Sequence, residues 1–295
     1  MGLIKAGIGA LGGTLADQWK EFFYCEAMPK EVLVTKGQKR IGKRSSNTKG
    51  SDNIISNGSG IAVADGQCMI IVEQGKIVEF CAEPGEFTWD NSTEPSIFAG
   101  NLGDSIKETF KVVGKRFTYG GDPGKDQRVY YFNMKEILDN KFGTANPVPF
   151  RVVDSKIGLD IDVSIRCAGV YSYKISDPML FYKNVCGNFA SEYTRDLIDS
   201  QLKAELQAAM QPALGRIALK KISYDQLPLF TKDIRDELNT ELTAEWGAKR
   251  GLSVSSFAVA QVAPDEESAK KIAVFQESRV YTDGRMMGAR LGTAT

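Results

Sequence analysis

Between Gly60 and Arg166 apolar and polar residues alternate, or run in short blocks bounded by turn residues, the pattern of successive β-strands. Cys68–Val72, the tight Gln74-Gly75 pair and Lys76–Cys81 predict a hairpin, closed by Glu83-Pro84-Gly85. Phe110–Tyr119, the turn-rich Gly120-Gly121-Asp122-Pro123-Gly124 and Gln127–Phe132 predict a second. Leu159, Ile161, Val163 and Ile165 alternate with Asp160, Asp162, Ser164 and Arg166, as in a strand with one buried and one wet face. Tyr171, Tyr173 and Ile175 extend it past Gly169, a candidate bulge.

The second half changes period. Phe189, Tyr193, Leu197, Leu202, Leu206, Met210 and Ile217 follow 3.6-residue spacing and predict a long helix, kinked or split at Pro212. Leu227, Phe230, Ile234, Leu238 and Leu242 predict another, ending near Gly251 after Lys249 and Arg250. Leu252–Val262 is β-branched-rich and reads as a strand, and Pro264-Asp265-Glu266-Glu267 opens a last helix. Strands first and then α-α-β-α is an α+β order.

Two N-terminal segments stand apart. Ile4, Ile8, Leu11, Leu15, Trp19 and Phe22, at steps of four and three, predict an amphipathic helix over residues 3–23, with Phe23 adjoining its apolar face. Gly7, Gly9, Gly12 and Gly13 weaken it by about 1 kcal/mol each, so an apolar partner, lipid or protein, is needed to order it. Its polar side mixes Lys5 and Lys20 with Asp17 and Glu21, which leaves little attraction to anionic lipid. Residues 36–59 place Lys36, Lys39, Arg40, Lys43, Arg44 and Lys49 among Ser, Asn, Thr and Gly, and read as a basic loop. It suits anionic headgroups. With no aromatic residue between Lys36 and Lys49 to stack on bases, nucleic acid is the weaker partner.

Lys+Arg and Asp+Glu both total 37 in 295 residues, so any anion affinity is local. Histidine is absent, which removes Ser-His-Asp and Cys-His nucleophiles and His-ligated metals. The five cysteines (Cys25, Cys68, Cys81, Cys167, Cys186) are scattered and odd in number, as in a reducing cytosol, and most have the apolar neighbours of core residues. No run approaches the ~20 apolar residues of a membrane span. The first residues match neither a secretory signal nor a myristoylation motif, so the sequons at Asn57 and Asn91 are expected to be irrelevant.

Other candidate chemistry reads blandly. Gly7-Ile8-Gly9-Ala10-Leu11-Gly12 fits the dinucleotide fingerprint but lacks the preceding strand and following βαβ unit. Asp160 and Asp162 share a strand face, yet solvated acids on a polar face explain them, and a carboxylate enzyme would need further acids gathered in a concave site. No catalytic residue, metal ligand or cofactor is assigned.

Ser59–Gln67, Val72–Ile77, Glu83–Phe87, Val129–Phe132, Lys141–Thr144 with Pro147 and Pro149, and Gly169–Pro178 together resemble the SPFH (stomatin/prohibitin/flotillin, or Band 7) family. The resemblance runs from about Trp19 to beyond Pro264 and is nearest to the bacterial and phage subgroup labelled "virion core protein-like". It implies an α+β SPFH domain over residues 24–263, a β-hairpin-rich sheet packed with helices. An N-terminal amphipathic segment (1–23) would precede it, and a C-terminal helix with the start of a tail (264–295) would follow. It also implies no catalytic residues and side-by-side assembly, as rings or cages at a membrane. Some relatives accompany phage-shock-type stress systems and continue into a zinc ribbon. This chain shows no C-x-x-C pair after that helix, so a zinc role has no support.

The expected function is therefore a non-enzymatic oligomeric scaffold at the cytoplasmic face of a bacterial membrane. Ile4 to Phe23 would touch lipid or subunits, Lys36 to Arg44 headgroups, and the helix from Asp265 to Tyr281 neighbouring copies. A soluble, phage-encoded structural assembly is the alternative.

Overall fold

The computed structural model describes residues 2–5, 21–40, 53–90, 92, 95–114, 126–144, 146–154, 158–187, 189–275 and 277. In chain order its strands are β1 (Gly2–Lys5), β2 (Phe22–Tyr24), β3 (Val32–Lys36), β4 (Gln38–Arg40), β5 (Gly60–Val63), β6 (Gln67–Glu73), β7 (Lys76–Cys81), β8 (Gly85–Asp90) and β9 (Ile97–Phe98). They continue with β10 (Gln127–Asn133), β11 (Ile137–Gly143), β12 (Val148–Asp154), β13 (Leu159–Ile175), β14 (Glu192–Thr194) and β15 (Leu252–Pro264). The α-helices are α1 (Asp104–Gly114), α2 (Pro178–Phe181), α3 (Asp199–Ala218), α4 (Thr231–Leu242) and α5, over residues 266–275. The chain is α+β and divides into two compact units.

The first unit comprises residues 1–137, 173–200 and 243–253. One sheet has the order β1-β8-β5-β2-β4, the other β14-β3-β10-β6-β7-β9. Their apolar faces form one core, with Phe23, Ile61, Phe87 and Trp89 from the first against Met69, Ile71, Val129 and Tyr131 from the second. β6 is apolar on both faces because β10 and β7 flank it and both its faces are covered. The β6–β7 hairpin forms as its turn residues predict. Gln74 (φ 48) and Gly75 (φ 77) take the paired left-handed conformation that matches strand twist.

The second unit comprises residues 138–172, 201–242 and 254–295. In its sheet β13 pairs with β11, β12 and β15. The alternation of β13 is realised: Leu159, Val163 and Ile165 are buried, Asp160 and Asp162 exposed. Gly169 marks a close approach, since a Cβ there would lie 2.0 Å from the Ala258 carbonyl oxygen on β15. The Asn239 side chain of α4 covers the β15 backbone at Val254, accepting from its N–H and donating to its C=O, both at 2.9 Å.

Five expectations are corrected. Phe110 to Gly114 is helix, not strand: Ile106 and Phe110, four apart, bury one stripe, while Lys107 pairs with Asp104 and Lys111 with Glu108 on the wet side. Residues 115–125, the remainder of that arm and the turn after it, lie outside the described residues, while the second arm, Gln127–Phe132, is strand within β10. The long helix begins at Asp199 rather than Phe189, because Phe189 packs 5.0 Å from Tyr130 and Tyr193 enters β14 beside β3. Of the kink or split expected at Pro212 the split does not occur: α3 runs on from Asp199 to Ala218, with Leu206, Met210, Ala213 and Leu214 buried on either side of the missing hydrogen bond. Last, Gly2–Lys5 and Phe22–Tyr24 are strands, not the ends of a helix, and Lys36 and Gln38–Arg40 are strand rather than loop.

Candidate functional site

Of the N-terminal stripe, Ile8, Leu11, Leu15 and Trp19 lie outside the described residues, as does the glycine-rich motif. Ile4 on β1 is 47% exposed, and its neighbour Leu3 is buried against the core. Phe23 is a core residue and Phe22 is half-buried. The period-2 alternation of a strand thus splits residues that helical spacing would place together.

The basic candidates separate similarly, with Lys43 and Arg44 outside the described residues. Lys36 is half-buried on β3 and Arg40 is exposed on β4. Lys39 turns inward. Its Nζ lies 2.8 Å from Oε1 of the buried Glu21 and 5.8 Å from the Phe23 ring centroid. The other Glu21 oxygen accepts from the Ser56 N–H and the Ser59 hydroxyl. Lys39 therefore ties β4 to the segment before β2 and is not displayed to headgroups.

A second buried acid also escaped the sequence reading. Glu79 on β7 accepts the Ser96 N–H at 2.9 and 3.1 Å, and the Ser96 hydroxyl bonds the N–H and C=O of Leu3 on the outermost strand β1. Burial pushes its carboxyl up to about 8, against the partial relief of the Ser96 hydrogen bonds. The unfolded chain ionises this group near 4.5, so stability present below that pH is lost as pH rises towards 8. Glu79→Gln keeps an acceptor for Ser96 and removes the ionisation. In urea unfolding it is expected to gain roughly 3–4 kcal/mol on the wild type between pH 5 and pH 8.5. Parallel pH profiles for the two proteins refute this role of Glu79.

The remaining chemistry is quiet. Burial pushes the Cys81 and Cys186 thiols up to about 12 and those of Cys25 and Cys167 to about 11, and it raises Cys68 well above its ordinary value, so none supplies thiolate at neutral pH. A cleft of about 390 Å³ brings Asp160 and Asp162 together, but with Arg151 and Lys221 rather than further acids. Arg151 grips Asp160 with two 2.8 Å hydrogen bonds, and this holds the carboxyl below its ordinary range. Among the described residues no group of three His, Cys, Asp or Glu is placed to hold a metal, and no helix is long and apolar enough to cross a membrane.

α5 is better suited to contact than to chemistry. The Asp265 carboxylate accepts the Ser268 N–H at 2.8 Å, the Asp265 N–H donates to the Ser164 carbonyl, and the Ser164 N–H donates to the Ser268 hydroxyl. The helix start is thus pinned on β13. Farther along, Val274 is 65% exposed and, with Phe275 and Ile161, lines an apolar groove of about 450 Å³ rimmed by Glu267, Lys270 and Lys271.

Comparison with known proteins adds one match: the SPFH domain-Band 7 family, over residues 48–280. No curated protein matches the chain. A family match over most of the chain, on an α+β fold of hairpins and helices, places this protein in the SPFH/Band 7 family.

Proposed function

We propose that this protein is a non-enzymatic scaffold that assembles with copies of itself at the cytoplasmic face of a bacterial membrane. There it organises lipid or recruits stress-response partners. The family supports the general part of this reading, since SPFH proteins are in general membrane-associated scaffolds. The observation that carries self-assembly is α5, whose pinned start holds Val274 and Phe275 beside Ile161 in an apolar groove. A lateral array closed by such grooves gives rings or cages.

Sedimentation velocity and negative-stain imaging at micromolar concentration are expected to show large particles. Val274→Glu changes an exposed side chain and so spares the fold, yet places a charge on the groove and is expected to shift the population to smaller species. A wild-type monomer rejects the scaffold reading. Large particles indifferent to vesicles would favour a soluble structural assembly instead.

A further inference from the structure

The connection between α3 and α4 is a second surface with unusual composition. α3 closes tightly: the N–H groups of Leu219, Lys220 and Lys221 donate to the carbonyls of Arg216, Ile217 and Ala218, and Lys221 turns to φ 57. Ser223 and Gln226 then form a reciprocal capping box that starts the short helical turn Tyr224–Leu229. Ile217, Ile222, Leu227 and Ile234 are buried beneath. At the two ends of this connection Leu219 is 78% and Leu229 80% exposed, the two most exposed large apolar residues described. Tyr224 and Phe230 are half-buried beside them.

The charges are sorted as well. Along the helices Arg216 pairs with Glu237 and Glu241, Lys220 with Asp233, and Arg235 with Asp236. At the turn Lys221 and Lys232 have no ion-pair partner among the described residues; Asp225 lies between them in sequence, and Asp160 and Asp162 line one cleft with Lys221. Asp160, which feels the field of Lys221, is already held by Arg151. Exposed leucines with unpaired lysines close by in sequence suit lipid better than protein. Lysine is depleted from protein interfaces, whereas at a bilayer its stem lies along apolar surface and its ammonium reaches the headgroups.

We propose that the α3–α4 turn docks on an anionic bilayer surface, with Leu219 and Leu229 entering the headgroup–acyl boundary and Lys221 and Lys232 on headgroups. This rests on the membrane reading above and adds a contact independent of residues 1–23. Partial burial of two leucines gives one subunit only weak affinity, so the turn grips membrane when many copies act together. Assembly is then what converts a loose contact into a stable one.

The test is flotation of the full chain with phosphatidylcholine vesicles, with and without phosphatidylglycerol. The wild type is expected to float best with phosphatidylglycerol. Leu219→Ser/Leu229→Ser is expected to lose on the order of tenfold in partitioning, with its sedimentation and urea midpoint unchanged. Lys221→Gln/Lys232→Gln, which leaves the leucines alone, is expected to lose the phosphatidylglycerol preference. Equal flotation of wild type and leucine variant overturns the proposal and leaves the scaffold reading standing. Particle break-up without loss of flotation overturns it too, by making the turn a subunit contact. A wild type that floats with neither vesicle removes both readings.

Discussion

Lys39→Ala is expected to destabilise the first unit by about 3–5 kcal/mol, although Lys39 belongs to a segment that composition marks as a solvated basic loop. The Glu21 side chain is 0% and the Lys39 side chain 11% exposed, so the pair lies almost wholly out of water. Removing the ammonium leaves a carboxylate in the core without the cation 2.8 Å from it, and the desolvation already incurred is no longer offset. Exposed Arg40 on the same strand is the control, and Arg40→Ala is expected to cost under about 1 kcal/mol. Glu21→Gln/Lys39→Met should recover much of the loss, because a neutral amide still accepts from Ser56 and Ser59 and a methionine fills the lysine's path. Urea unfolding of the four proteins decides the matter. If Lys39→Ala is as mild as Arg40→Ala, the pair is not structural and the headgroup role returns.

The same pair shows why part of this fold was hidden in the sequence. β2 and β4 are three residues each, too short to carry a period, and they exist because β5 lies alongside β2 and because Glu21 meets Lys39. Both are long-range facts that no local window contains. Where one segment carries its own signal the reading succeeds: Gln74-Gly75 specifies a left-handed turn, and β13 alternates over many residues. In α1 the run Phe110-Lys111-Val112-Val113 has β propensity, while the 3.6 period that decides its state starts upstream at Ile106. Phe189 and Tyr193 fit a helical stripe by spacing, yet their aromatic partners Tyr130 and Phe181 lie elsewhere in sequence. Glu79 on β7 has no local signal of burial, because the Ser96 N–H it accepts lies beyond β8, just before β9. Candidate contact residues are legible in sequence only as surplus apolar residues. Which of them are exposed depends on packing, and packing moved the emphasis from Phe23 to Leu219, Leu229 and Val274.

The second large effect is expected at Gly251, where the helical run Thr243–Arg250 stops in front of β15. Lys249, Arg250 and Gly251 announce that stop in sequence, and a C-terminal glycine is ordinarily there for its left-handed backbone, here φ 66. If conformation were the whole requirement, alanine would cost about 1–2 kcal/mol and asparagine less. The packing asks for more. A Cβ at this position would sit 2.2 Å from the Asp177 carbonyl oxygen and 2.8 Å from the Asp177 Cβ. Asp177 has little room to retreat. Its carboxylate accepts the Met179 and Leu180 N–H groups that start α2 and the Thr109 hydroxyl of α1, while its own N–H and that of Ser176 donate to the Gly251 carbonyl. Moving Asp177 therefore loosens α1, α2 and the β15 entry at once. Gly251→Ala is expected to cost on the order of 3–5 kcal/mol in urea unfolding, and Gly251→Asn nearly as much, since asparagine relieves the backbone but not the clash. An asparagine variant close to wild type would show that the left-handed turn, not the contact with Asp177, is what the glycine serves.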